Sequence, residues 1–375
     1  MKRSLAVKNR MFSTSHRKAE HLDIVVKEDV DFKVSACFED VHLIHNAMPD
    51  MSLDDVSTES VILGKKLSAP IIIAAMTGGH PIAYQVNAQL AEIAEKLKVG
   101  FSLGSQRAAL ENCSLEYTYR VAREKAPTTL ILGNIGAPQL LQNPIERAKK
   151  AIAMIQADAL VVHLNPLQEA LQLEGEASYA KVLDNLSLLA KELDKPVIVK
   201  ETGCGLSKEV AEKLARIGVA GIDVSGSGGT SWAAVEYYRA VKAGDFERAE
   251  VCKSFWNWGI PTAISICEVR KGVGNDLLVI ATGGVRNGIQ VAKALALGAN
   301  AVGIAAPLLK TLVNEGIKQV ERYLKRLIFE LKIAMFLVGA CTVDVLRDKP
   351  VILTGLVGDW VRARGLKRKN LLTPE

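Results

Sequence analysis

Eight short apolar runs, each followed by a stretch with helical spacing, constrain this chain more than any other feature. They fall at 70–75, 99–103, 129–134, 159–164, 196–200, 219–224, 277–281 and 300–304. Each is rich in Val and Ile and too short for a helix. The runs are nearly continuous in apolar residues rather than alternating, the pattern of strands buried on both faces of a parallel sheet. Between them, 84–97 places Leu90, Ile93, Ala94 and Leu97 at three- and four-residue spacing, and 179–193 does the same with Val182, Leu183, Leu186, Leu189, Ala190 and Leu193. The stretch 207–217 opens on Ser207 and stops before Gly218, and 287–297 stops before Gly298, a start signal and two stop signals in the right order. Such alternation builds either a closed barrel or an open doubly wound sheet. The count of eight favours a (β/α)8 TIM barrel. So does the absence of a G-x-G-x-x-G turn after the first run, since Gly226-Ser227-Gly228-Gly229 follows the sixth.

A barrel of this kind takes roughly 250 residues, and the chain has 375. The predicted organisation is an N-terminal extension (1–69), the barrel (70–346) and a C-terminal tail (347–375). A long insertion at 225–260 carries Trp232, Tyr237, Tyr238, Trp256 and Trp258. It reads equally as a lid or as an oligomer contact. The net charge of +6 is concentrated at the ends: Lys2, Arg3, Lys8, Arg10, Arg17 and Lys18 at one, Arg362, Arg364, Lys367, Arg368 and Lys369 at the other. Without zinc-finger spacing or interleaved aromatics, this argues against nucleic acid and suits solvated tails or a phosphorylated substrate. The six cysteines form no C-x-x-C pair, and the apolar run 333–341 is too short to span a bilayer. The expectation is a cytoplasmic protein with no membrane segment.

Barrel enzymes carry their chemistry on the loops after the strands. Here every run ends in small or polar residues: Met76-Thr77-Gly78-Gly79-His80 after the first, Gly104-Ser105-Gln106-Arg107 after the second, Asn134 at the third, His163-Leu164-Asn165-Pro166-Leu167-Gln168-Glu169 at the fourth. Lys200-Glu201 closes the fifth, Ser225 to Trp232 follows the sixth, Thr282-Gly283-Gly284-Val285-Arg286-Asn287 the seventh, and Gly303-Ile304-Ala305-Ala306 the eighth. The last two loops open helices through small residues, the arrangement that binds phosphate through backbone amides. Lys200, ending an apolar strand, can stabilise a reduced flavin, form a Schiff base, or pair with Glu169 or Asp223. Glu169 suits one ligand of a Mg²⁺ held mostly by phosphates and water. His163 reads as a phosphate donor or a buried structural histidine. Arg17, Lys18 and His21 share one helix face, three donors suited to a diphosphate.

Taken together, Arg17-Lys18-x-x-His21, Met76-Thr77-Gly78-Gly79, Gly104-Ser105-Gln106-Arg107, His163-Leu164-Asn165-x-x-Gln168-Glu169, Gly226 to Trp232 and Thr282 to Gly288 resemble the motif set of the type 2 isopentenyl-diphosphate isomerases, in order from about residue 16 to 345. The resemblance implies FMN, Mg²⁺ and a reductant such as NADPH. It implies conversion of isopentenyl diphosphate to dimethylallyl diphosphate by a homotetramer or homo-octamer. It further implies that Ala75, Met76, Thr77, Ser105, Asn134, Lys200, Ser225, Thr230, Gly284, Val285, Arg286, Ala305 and Ala306 hold FMN. Arg17, Lys18, His21, Arg107, His163, Asn165, Gln168 and Trp232 would contact substrate, Glu169 the metal, and Gln168 and Lys200 would serve catalysis. The basic segment ahead of Arg17 departs from the pattern. Moving the double bond needs a strong acid shielded from water; no pair of side-chain acids stands out, which leaves the proton work to reduced FMN. The alternatives are an FMN oxidoreductase of the 2-hydroxy-acid oxidase type, a flavin-free aldolase using Lys200, and a non-catalytic binding protein. The oxidase needs a histidine at the end of the sixth or seventh run, and none of the six histidines (16, 21, 42, 45, 80, 163) lies there.

Overall fold

The computed structural model describes residues 14–373. Eight parallel strands close into a barrel: β1 (Ile71–Ile73), β2 (Gly100–Ser102), β3 (Ile131–Gly136), β4 (Ala159–His163), β5 (Val197–Lys200), β6 (Gly221–Asp223), β7 (Leu278–Thr282) and β8 (Ala301–Ile304). They pair in chain order, and β8 returns to β1 through Val302↔Ile71, Gly303↔Ile72 and Ile304↔Ile73. All eight predicted runs are strands, with ends trimmed or extended by at most two residues. β1, β2 and β6 are buried at every position. Ile72, Leu132, Val161, Ile198 and Ile280 fill the barrel, and Ile62 and Leu67 from the hairpin Ser60–Ile62/Lys65–Leu67 pack into the same cluster. The opposite strand faces, with Ile71, Ile73, Val199 and Val279, pack outward against helices.

Helices that position the site are α1 (Thr14–Lys27), α2 (Pro81–Leu97), α3 (Pro166–Leu171), α4 (Lys208–Arg216), α5 (Trp232–Ala243), α6 (Phe246–Ser254), α7 (Gly288–Ala296) and α8 (Ala306–Glu315). Ser207 caps α4 by accepting from the Val210 amide, and Asn287 caps α7 by accepting from Gln290. The predicted helix 179–193 begins later, at Val182. Tyr179 instead turns its hydroxyl onto Asn165, accepting from its amide at 2.8 Å and donating to Oδ1 at 3.0 Å.

The flanking segments meet one another. Val41–Leu43 pairs antiparallel with Val351–Leu353, which pairs with Leu371–Leu372. Much of the stretch expected as a tail is thus a sheet strand, a helix (Gly355–Ala363) and a second strand. The insertion after β6 folds as α5 and α6, packed on each other and on α3. The basic residues Lys2, Arg3, Lys8 and Arg10 lie outside the described residues. Among the described residues no helix is long and apolar enough to cross a membrane, and the six cysteines are unpaired.

Candidate active site

One cavity opens at the C-terminal ends of the strands, where a parallel barrel exposes its loops. All residues expected to hold cofactor, substrate or metal line it: Ala75, Met76 and Thr77 after β1; Ser105 and Arg107 after β2; Asn134 in β3; His163, Asn165, Gln168 and Glu169 from β4 into α3; Lys200 ending β5; Ser225, Thr230 and Trp232 after β6; Gly284, Val285 and Arg286 after β7; Ala305 and Ala306 after β8; and Arg17, Lys18 and His21 from α1. The N-terminal segment reaches the mouth because residues 28–36 are stitched to the β6 and β7 loops. Phe32 donates to the Gly229 carbonyl at 2.8 Å, Ser231 to the Val30 carbonyl at 2.8 Å, and Arg286 sits 3.3 Å from Asp31.

The β7 loop makes a tight cradle. Gly284 has φ +72°, and a Cβ there would lie 2.5 Å from the Gly228 carbonyl oxygen, so only glycine fits. Two amides of this turn are committed to side chains: Arg286 N–H to Gln290 Oε1 (2.7 Å) and Gly288 N–H to Glu330 Oε2 (2.6 Å). Lys200 is buried. Its Nζ donates to the Glu201 carbonyl and to Ser225 Oγ (3.4 Å), and no ion pair with Glu169 or Asp223 is present among the described residues. Asp223 accepts from the Ser225 amide and Thr282 Oγ1; burial raises its pKa while Lys200 opposes the shift.

His163 Nδ1–H donates to Asn134 Oδ1 at 2.7 Å. Burial, then Lys200 and Lys18, push its pKa down to about 3, so the ring is neutral and Nε2 carries a lone pair. Glu169 is buried. Its Oε1 accepts from Asn165 Nδ2 (3.0 Å), and its Oε2 accepts from Gln172 Nε2 (2.8 Å) and the Glu176 amide (2.7 Å). Asn165 Nδ2 also reaches Gln168 Oε1 at 3.0 Å. Among the described residues no group of three or more His, Cys, Asp or Glu is arranged to hold a metal.

The cations of α1 are held by partners that local spacing does not reveal. Lys18 Nζ donates to the Ser105 carbonyl and to Tyr119 Oη (2.9 Å); burial, then Arg17, lowers its pKa to about 7. Tyr119 is fully buried and donates to the same carbonyl at 2.7 Å. His21 Nε2 lies 3.2 Å from Glu236 Oε1 and meets the Trp232 ring edge-on at 5.1 Å. Glu236 in turn pairs with Arg239 at 2.8 Å. Arg107 is bracketed by Glu111 (2.7 Å) and Glu176 (2.8 Å), and Arg17 faces Glu174 at 3.6 Å. Glu201, noted in the sequence only as the polar end of the fifth run, accepts from the amides of Thr202, Gly203 and Cys204, and burial pushes its pKa up to about 7.

The FMN-dependent dehydrogenase family model matches residues 28–165 and 170–352. Among solved structures, a mandelate oxidase carrying a monooxide FMN adduct matches 93% of this chain and 96% of its own, at TM-score 0.59 and 19% identity. A lactate oxidase of Pediococcus acidilactici matches 89% and 87%, at TM-score 0.64 and 16% identity. At those identities the likeness is one of fold. The isopentenyl-diphosphate delta-isomerase of Methanosarcina barkeri is 47% identical, over 96% of this chain and 97% of its own. That of Methanopyrus kandleri is 45% identical, over 93% and 95%. With identity at this level running through nearly the whole length of both chains, and an FMN-family fold beneath it, the chain belongs to the isopentenyl-diphosphate delta-isomerases and is an FMN-dependent isomerase.

Proposed function

We propose that the barrel mouth holds FMN in its β1, β3, β5 and β7–β8 loops and the diphosphate of isopentenyl diphosphate between α1 and the β2 loop, and that the chain converts this substrate to dimethylallyl diphosphate. The observation that carries the reading is that residues from α1 and all eight strand ends line a single cavity. The residues fit a flavin mononucleotide. Thr77 Oγ1 is a buried hydroxyl with no partner, on a residue of the cavity wall. The Gly283–Gly284 turn and the start of α8 are small enough for a phosphate to reach backbone amides, and Lys200 is a buried cation beside Ser225. When bound and reduced, FMN supplies the acid and base that the side chains lack. NADPH is the reductant the reading expects, and an oligomer in the cytoplasm its setting.

The protein's own part is binding, orientation and exclusion of water. Arg17, Lys18 and Arg107 offer cationic donors to the two phosphates. A dianion beside His163 would raise that ring's pKa and turn Nε2 into a donor. Glu169, with its oxygens turned to the α3 loop, fits one carboxylate ligand of a Mg²⁺ that keeps water and phosphate oxygens for the rest. Gln168, fixed by Asn165, presents an amide able to orient the reacting carbons. Trp232 and Met76 supply apolar wall, which keeps water from the reacting carbons. The oxidase alternative lacks its base: among the described residues, His21 lies on α1, His42 in and His45 just after the N-terminal strand Val41–Leu43, His80 caps α2, and His163 ends β4, none of them at the end of β6 or β7.

The test is an anaerobic assay with isopentenyl diphosphate, Mg²⁺ and FMN, with and without NADPH or dithionite. Product only when the flavin is reduced supports the reading. A flavin-loaded protein that makes no dimethylallyl diphosphate under reduction refutes it.

A further inference from the structure

The cradle after β7 runs through two glycines in succession, Gly283 at φ +116° and Gly284 at φ +72°. A peptide unit between two glycines turns over at little cost, because neither residue has a Cβ to oppose either orientation. In a trans peptide the carbonyl and the amide point opposite ways. Whichever way the Gly283 carbonyl faces, the Gly284 N–H faces the other. One orientation offers a donor to an anion in the mouth, and the other offers it an oxygen.

A single side chain decides between them. Thr262 opens the helix Thr262–Val273 and is fully buried. Three carbonyl oxygens surround its hydroxyl, those of Gly283 at 2.7 Å, Ser227 at 3.3 Å and Thr282 at 3.5 Å, and its one proton goes to the nearest. Thr262 is itself fixed, since its amide donates to the Ser227 carbonyl at 3.2 Å and the Ala263 amide to the Ala36 carbonyl at 3.0 Å. With the Gly283 carbonyl held against Thr262, the Gly284 N–H is turned away from it. Gly229 keeps that nitrogen uncovered, because a Cβ on Gly229 would lie 2.7 Å from it. Gly229 is not one of the positive-φ residues, so its missing side chain serves this approach and not the backbone. Gly229 and Gly284 both line the cavity.

We infer that Thr262 is a positioning residue for the flavin phosphate: its hydroxyl locks the Gly283–Gly284 peptide with the amide toward the mouth. The inference rests on the reading of this turn as part of the FMN phosphate site. Without the lock the peptide divides its time between two orientations, and only the fraction with the amide inward binds the phosphate. The rest of the flavin, held by the β1, β3 and β5 loops in that reading, is indifferent to the turn.

Fluorescence-quenching titrations of the full-length chain, freed of flavin, with FMN and with riboflavin test it, since riboflavin lacks only the phosphate. The wild type should prefer FMN by at least about a hundredfold, through charge-assisted hydrogen bonds to the dianion. Thr262→Val keeps the shape and removes the proton. Its FMN affinity should fall about tenfold, the worth of roughly one net hydrogen bond, while its riboflavin affinity stays within about twofold. Thr262→Ser restores the hydroxyl and should restore the preference. Equal weakening toward both flavins, or a Thr262→Ser that behaves as Thr262→Val, reduces Thr262 to packing and overturns the inference. Gly229→Ala gives an independent reading if Thr262→Val does not fold: by covering the Gly284 amide it should weaken FMN and spare riboflavin, and an unchanged preference overturns the inference. A wild type that binds the two flavins equally shows that the phosphate site itself is misassigned, and the inference falls with it. A wild type that prefers FMN beside a Thr262→Val that keeps the full preference leaves the site standing and removes the lock.

Discussion

Replacing Tyr119 by Phe removes one oxygen from the point where α1 meets the β2 loop. The ring is fully buried, so the change conserves volume and leaves packing in place. The hydroxyl makes two hydrogen bonds, donating to the Ser105 carbonyl at 2.7 Å and accepting from Lys18 at 2.9 Å. At a net worth of about 0.5–1.5 kcal/mol each, their loss should destabilise the fold by about 1–3 kcal/mol. In a chain of 375 residues that is a fall in Tm of roughly 1–2 °C per kcal/mol. Lys18 keeps the carbonyl but loses an acceptor that favours its charged form, so its pKa, already lowered to about 7 by burial, falls further. Pyrophosphate affinity in Mg²⁺ should drop about three- to tenfold at pH 8 and less at pH 6.5. Differential scanning fluorimetry and calorimetry at the two pH values measure both effects. A lowered Tm with unchanged affinity at both pH values would reduce Tyr119 to packing, and no change in either would remove the Lys18–Tyr119 contact from the solution structure.

Thr77→Val deletes a buried hydroxyl that has no protein partner. Stability without added FMN should hold or rise while FMN affinity, followed by fluorescence quenching, falls about tenfold; equal affinity would place the flavin elsewhere. Trp232→Ala should raise the KM for isopentenyl diphosphate with little change in Tm if the insertion covers the substrate, whereas a large Tm loss with an unchanged KM would assign the ring to packing. His163 has a folded pKa near 3 against 6.5 for an unperturbed histidine, so between those values the unfolded chain binds the extra proton. Its contribution to stability is therefore complete above about pH 6.5 and is lost as pH falls toward 3. Urea unfolding from pH 7 to pH 5 should show a decline that His163→Asn flattens; identical slopes for both proteins would deny the histidine that role.

The barrel is legible in the sequence because its physics is local. A strand buried on both faces must be apolar at nearly every position, so Ile71–Ile73 and Val197–Lys200 announce themselves within a few residues. The loops are legible for a related reason: small and polar residues directly after such runs have few other uses. The pairing of Val41–Leu43 with Val351–Leu353 has no such signal. Three residues cannot display a period, and the partners are joined only through the whole barrel between them.

The same distinction divides the site. Apart from Arg17, Lys18 and His21 on α1, the predicted cavity-facing residues sit at or just after strand ends, and a strand end can be read from the run before it. The groups that set their charge do not. Glu174 meets Arg17 from the far side of four strands, and Tyr119 meets Lys18 across 101 positions; neither acid nor phenol carries a motif of its own. His163 illustrates the consequence. Its type and position suggest a phosphate donor. Its actual surroundings, with Asn134 accepting from Nδ1–H and burial, then two lysines, suppressing a second proton, make it an acceptor until an anion arrives. Residue identity therefore locates the chemistry, while the long-range ion pairs decide protonation and affinity. The substitutions that discriminate best are accordingly those that change a partner of a lining residue and leave the lining residue intact, as Tyr119→Phe does.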